Sequence, residues 1–119
     1  MSPSARSKVG PSGRSNDPPV LILTSLAAGP KHGHALLLDI EAFAGVRLGP
    51  GTLYGAIGRL EERGLIEAAG PDGRTRPYLL TTSGRDLLEA TLAELRTIVD
   101  EGTRRLSRAS QLASLGGEA

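Results

Sequence analysis

Cysteine is absent from this 119-residue chain, and so is tryptophan. Without thiols there is no disulfide framework, no cysteine-ligated zinc finger and no thiol nucleophile. Aromatic side chains are scarce, only Phe43, Tyr54 and Tyr78, so a core must be built from Leu, Ile, Val and Ala. Long apolar runs are missing as well. None approaches the ~20 residues of a membrane span, and the N-terminal stretch carries no apolar segment resembling a signal peptide. A cytoplasmic protein with no membrane partner is the expectation. Charge of one sign is also lacking, because 14 basic against 13 acidic residues leave a net charge of +1. A nucleic-acid partner would have to be met by a local patch rather than by the global field.

What is present is one small domain of 12.4 kDa. Small domains bury proportionally less of their surface, so help from a partner chain is expected. The first 19 residues, MSPSARSKVGPSGRSNDPP, hold Arg6, Lys8 and Arg14 against Asp17 alone. Rich in Ser, Pro and Gly, they have too little to bury to offset the entropy of ordering, and read as a disordered tail. That tail is either without a role or a basic arm toward DNA. Residues 31–85 carry seven basic and six acidic groups, and residues 86–119 carry four and six.

Pro18 and Pro19 open a helix, whose run Val20 to Ala28 is apolar on almost every side and therefore reads as buried. Gly29-Pro30 ends it. A second helix is expected from about His32 to Ala44, with Leu36, Leu37, Ile40 and Phe43 at helical spacing and Gly45 as its C-cap. Gly49-Pro50-Gly51-Thr52 starts a third, with Leu53, Ile57 and Leu60 facing inward and Gly64 at its end. Two short apolar runs, Leu65 to Ala69 and Arg76 to Leu80, flank a Gly70-Pro71-Asp72-Gly73 turn and read as a hairpin. Three helices and a hairpin make the winged-helix order. Thr82 or Ser83 is placed to cap a last helix.

The expected architecture is therefore mainly α with a small β-hairpin: a winged helix-turn-helix over residues 20–82 and a long C-terminal dimerisation helix over 83–110. Residues 111–119 are expected to fray. The dimerisation stripe comprises Leu88, Leu92, Leu95, Val99, Gly102 and Leu106, at spacings of three and four. The competing account is that the stripe folds back on its own domain.

With Leu53, Ile57 and Leu60 inward, the third helix turns Gly51, Gly55, Gly58, Arg59 and Glu62 outward, with Thr52 and Tyr54 at its borders. Small residues let a helix backbone sit close in a major groove, and helix N-terminal amides favour phosphates. The competing account is a weak helix held by its core face, since each internal glycine costs about 1 kcal/mol against Ala. Arg74 and Arg76 on the hairpin tip suit phosphate or minor-groove contact. His32 and His34 are two apart, whereas a zinc-binding helix pairs histidines four apart. No metal, no cofactor and no catalytic machinery are expected.

The segments Gly29-Pro30-Lys31-His32-Gly33-His34, Gly49-Pro50-Gly51-Thr52-Leu53-Tyr54 and Arg59-Leu60-Glu61-Glu62-Arg63-Gly64-Leu65-Ile66, followed by Tyr78-Leu79-Leu80-Thr81-Thr82-Ser83-Gly84-Arg85, resemble the PadR family of bacterial transcriptional regulators. The likeness covers about residues 20–95, and a single long C-terminal helix is similar to the short members of that family. It implies a winged helix-turn-helix homodimer that represses transcription from double-stranded DNA and is released by a small molecule. It also implies that Pro50, Gly51, Thr52, Tyr54, Gly55 and Arg59 belong to the recognition helix, with Arg74 and Arg76 on the wing. Lys31 and His32 would open the helix that crosses the DNA backbone. The chain departs from the family at His34, where a Tyr that can touch a phosphate is usual and His can still donate a hydrogen bond, at Gly55, where Pro is common, and at Gly58, where Lys or Arg is common. Without Trp, a pocket for stacking flat drugs is not implied, although a small apolar effector could still be held among aliphatic side chains. The other function class open to this sequence is a winged-helix protein-interaction module that binds no DNA.

Overall fold

The computed structural model describes residues 17–70 and 77–116. Most of the N-terminal tail and the hairpin tip with Arg74 and Arg76 lie outside the described residues. Five helical and strand segments precede one long helix. They are α1 (Pro18–Ala27), α2 (Gly33–Ala44), α3 (Pro50–Glu62), β1 (Ile66–Ala68) and β2 (Tyr78–Leu80), then α4 (Thr82–Gly116). The chain divides into two compact units, one reaching to Leu88 and the other beginning at Glu89.

In the first unit the hydrophobic periodicity explains the packing. Helix α1 starts on its two prolines and buries Leu21, Ile22, Leu23, Ser25 and Leu26, so it is covered on most sides. Helix α2 contributes Leu36 and Ile40, and α3 contributes Leu53, Ala56, Ile57 and Leu60. These side chains form one core with Leu65, Ile66 and Leu88. Gly45 closes α2 in the left-handed conformation at φ 70°, and its amide returns to the Glu41 carbonyl.

Phe43 departs from the expected stripe of α2. It is half-exposed, while Ala44 packs against the core. The buried face follows i, i+4 steps through Leu36, Ile40 and Ala44, and a residue next to Ala44 is turned about 100° away.

Strands β1 and β2 pair antiparallel, with Ile66 opposite Leu80, Glu67 opposite Leu79 and Ala68 opposite Tyr78. Beyond them Ala69 donates its amide to the Pro77 carbonyl at 2.8 Å. A third line of backbone joins this hairpin through Lys31, which bridges Tyr78. A single-residue bridge has no periodicity to announce it.

The cap of α4 is Thr81, one residue before the expected pair. Its Oγ1 accepts the Gly84 amide at 3.0 Å and donates to the Gly64 carbonyl at 2.7 Å. Thr81 stands directly after β2, where extended backbone suits an N-cap, and Thr82 and Ser83 already lie within the helix. The helix then runs to Gly116, past the expected end at residue 110.

Candidate nucleic-acid interface

Helix α3 begins at Pro50 behind an extended Gly49 and has no acidic residue in its first turn. Its buried side chains all lie on one face, so Pro50, Gly51, Thr52, Gly55 and Arg59 are exposed on the other. A methyl group placed at Gly51 or Gly58 would meet nothing within 4 Å. At Gly55 it would stand 3.6 Å from Nη1 of Arg59, whose side chain folds back along the helix. Intramolecular packing therefore asks for none of these three glycines. The outward face is a low ledge of small residues with one guanidinium lying along it.

Tyr54 is 49% exposed, and the far end of its ring rests against α2. A methyl group at Gly33 would overlap its hydroxyl oxygen and the near edge of its ring. The phenol thus crosses the first turn of α2 and ties α3 to that helix, leaving part of the ring open to a partner. Gly33 stands in the family-like segment but has no role of its own in the sequence pattern. Its one signal is a buried glycine at a helix start, which means something only once the facing side chain is known.

His32 is the extended N-cap residue of α2, without a side-chain cap bond, and His34 follows inside the helix. Both are exposed and beside the Tyr54 contact in sequence. Among the described residues no group of three His, Cys, Asp or Glu side chains could hold a metal ion.

Lys31 is placed differently from its neighbours. Its ammonium donates to the Ser25 carbonyl at 2.6 Å and lies 3.9 Å from Asp39 Oδ2. The Ser25 hydroxyl donates to the same Asp39 oxygen at 2.6 Å. Ser25 carries no signal in the sequence, and Asp39 draws notice there only as an acidic neighbour of His32 and His34. Arg74 and Arg76, expected on the wing, lie outside the described residues.

The expected dimer stripe divides in two. Leu88 is 5% exposed and belongs to the core of the first unit, so it is taken by intramolecular packing. In the second unit Leu92, Leu95, Val99 and Leu106 are exposed, and so are Ile98, Leu112 and Leu115, which lie outside the expected stripe. Gly102 faces open space. Glu101 pairs with Arg104 and Arg105 on the surface of the helix, contacts of little weight for stability. No described helix is long and apolar enough to cross a membrane.

Against known proteins, residues 22–90 match the model of the transcriptional regulator PadR-like family. An uncharacterized 37.1 kDa protein in transposon TN4556 of Streptomyces fradiae is 51% identical over 76 residues, covering 64% of this chain. The chain spans only 22% of the length of that relative. Among solved structures, a PadR family transcription regulator from Clostridium difficile is similar with a TM-score of 0.65 and 26% identity, over 75% of this chain and 97% of the other. RosR of H. salinarum is similar with a TM-score of 0.62 and 28% identity, over 87% and 94%.

Proposed function

The chain belongs to the transcriptional regulator PadR-like family, and from that premise we propose that it acts as a homodimeric repressor on a pseudo-palindromic operator. Helix α3 enters the major groove with Thr52, Tyr54 and Arg59 toward the bases. His32 and His34 approach the DNA backbone at the head of α2, and Arg74 and Arg76 on the wing reach flanking phosphates. The observation that carries this reading is the ledge on α3, where three glycines face outward without an intramolecular need. Gly55 and Gly58, inside the helix, each lower its stability by about 1 kcal/mol relative to Ala, and close approach of a groove offsets that cost.

Dimerisation is supported by the exposed apolar side chains of α4, which are too many on one short stretch to be scattered surface residues. The helix is also lopsided. Residues 85–101 carry a net charge of −3, and residues 102–116 carry +3. Antiparallel pairing of two such helices sets acidic half against basic half. It also sets Leu92 opposite Ala109 and Val99 opposite Gly102, bulky against small, with Leu95 opposite Leu106 between them. A two-fold dimer of this kind reads half-sites roughly 10 base pairs or a multiple apart. Aliphatic side chains along the seam offer a place for a small apolar effector whose binding relieves repression.

Fluorescence anisotropy of the purified protein on its own upstream DNA, against a scrambled fragment and across a salt series, tests the reading. Preferential binding to the upstream fragment, falling steeply with salt, is the expected result. A stable dimer with no DNA affinity even at low salt would sink it, and would favour a protein partner for the glycine-lined face.

A further inference from the structure

The surroundings of Lys31 give its side chain a task other than DNA contact. Its ammonium lies 2.6 Å from the carbonyl oxygen of Ser25 and 3.5 Å from that of Gly29, with Asp39 Oδ2 at 3.9 Å. The Ser25 carbonyl belongs to the last turn of α1, where a cation meets the negative pole of the helix, and Gly29 follows just beyond its cap. Asp39 comes from α2, and the same carboxylate oxygen accepts the hydroxyl of Ser25, a residue 1% exposed. The Lys31 side chain is only 19% exposed. To reach a phosphate it would have to abandon all of these partners.

The backbone of the same residue is engaged on the hairpin. Lys31 donates its amide to the Tyr78 carbonyl at 3.0 Å, and the Tyr78 amide returns to the Lys31 carbonyl at 2.8 Å. One residue therefore grips two helices with its side chain and edges β2 with its main chain.

We propose that Lys31 is a positioning residue for the wing: clamped on the end of α1 and on Asp39, it fixes the line of backbone along which β2 is aligned. The orientation of the wing toward DNA then depends on a cation that never touches DNA. This last consequence rests on the DNA-binding reading given above, whereas the clamp itself does not.

The test uses the full chain with Lys31→Met, Lys31→Arg and Asp39→Asn, and two readouts. Amide hydrogen exchange at Tyr78, measured by NMR without DNA, should be roughly tenfold faster in Lys31→Met, because a charge-assisted hold on the adjacent backbone is lost. Lys31→Arg should restore most of the protection. Asp39→Asn should give a smaller acceleration, and it decides the matter should Lys31→Met not fold. On the upstream DNA fragment, Lys31→Met should bind several-fold more weakly with the same dependence of log affinity on log salt. Loss of a phosphate contact would instead reduce that slope by about 0.9, and this outcome overturns the proposal. Unchanged Tyr78 exchange in both Lys31→Met and Asp39→Asn overturns it too. Should the native protein bind no DNA, the repressor reading fails, and Tyr78 exchange still judges the clamp.

Discussion

At Gly84 a methyl group would overlap the carbonyl oxygen of Leu65, a backbone atom that already accepts the Thr81 amide at 3.1 Å. Neither side of that contact can yield without moving β1 or the start of α4. Gly84→Ala is therefore expected to cost about 3 kcal/mol, at the upper end of overpacking effects, as a lowered urea midpoint. At Gly33 the overlap is with the far end of the half-exposed Tyr54 side chain, which can swing aside. Gly33→Ala should lose less than about 1.5 kcal/mol of stability and show its main effect as weaker DNA binding, because the ring leaves its place. Equal stability losses at the two positions would contradict this ranking. Sequence reading could not separate them, since each is a glycine in the first turn of a helix and only the facing atom differs.

Helix α3 was the most legible element. Leu53, Ile57 and Leu60 are buried as their spacing requires, and Ala56 joins them. Its outward face gives a prediction with two signs. Gly58→Ala should stabilise the protein by roughly 0.5–1 kcal/mol, since alanine is the better helix former and the added methyl meets nothing. The same methyl on a groove-facing ledge should weaken operator binding. Thermal melting and anisotropy on one preparation read both, and a gain in stability with unchanged affinity would remove the ledge from the interface. Helix α2 was less legible at its end, because Phe43 satisfies a periodic pattern that the helix leaves through Ala44.

The scale of the whole molecule is set by α4. The absence of cysteine makes engineered thiols unambiguous reporters of how two copies pair. Leu92→Cys mixed with Ala109→Cys should cross-link under mild oxidation, because antiparallel pairing makes these positions a layer. Leu92→Cys alone should not, since its two copies would stand about 25 Å apart along the helices. Cross-linking of Leu92→Cys to itself would establish a parallel pair and overturn the proposed register. The melting temperature of the native protein should also rise with concentration if dimerisation stabilises the fold.

Periodicity, punctuation and composition determined the order of elements, the inward face of α3 and the presence of a hairpin, because each is a property of residues close together in the chain. The tertiary structure alone decided that Lys31 turns inward to Ser25 and Asp39, that Leu88 serves the core, that Thr81 is the cap of α4, and that Gly33 and Gly84 must stay small. Those outcomes depend on which distant groups come within a few ångströms of one another. Local patterns carry the periodicity of a buried face but not the identity of the atoms that cover it.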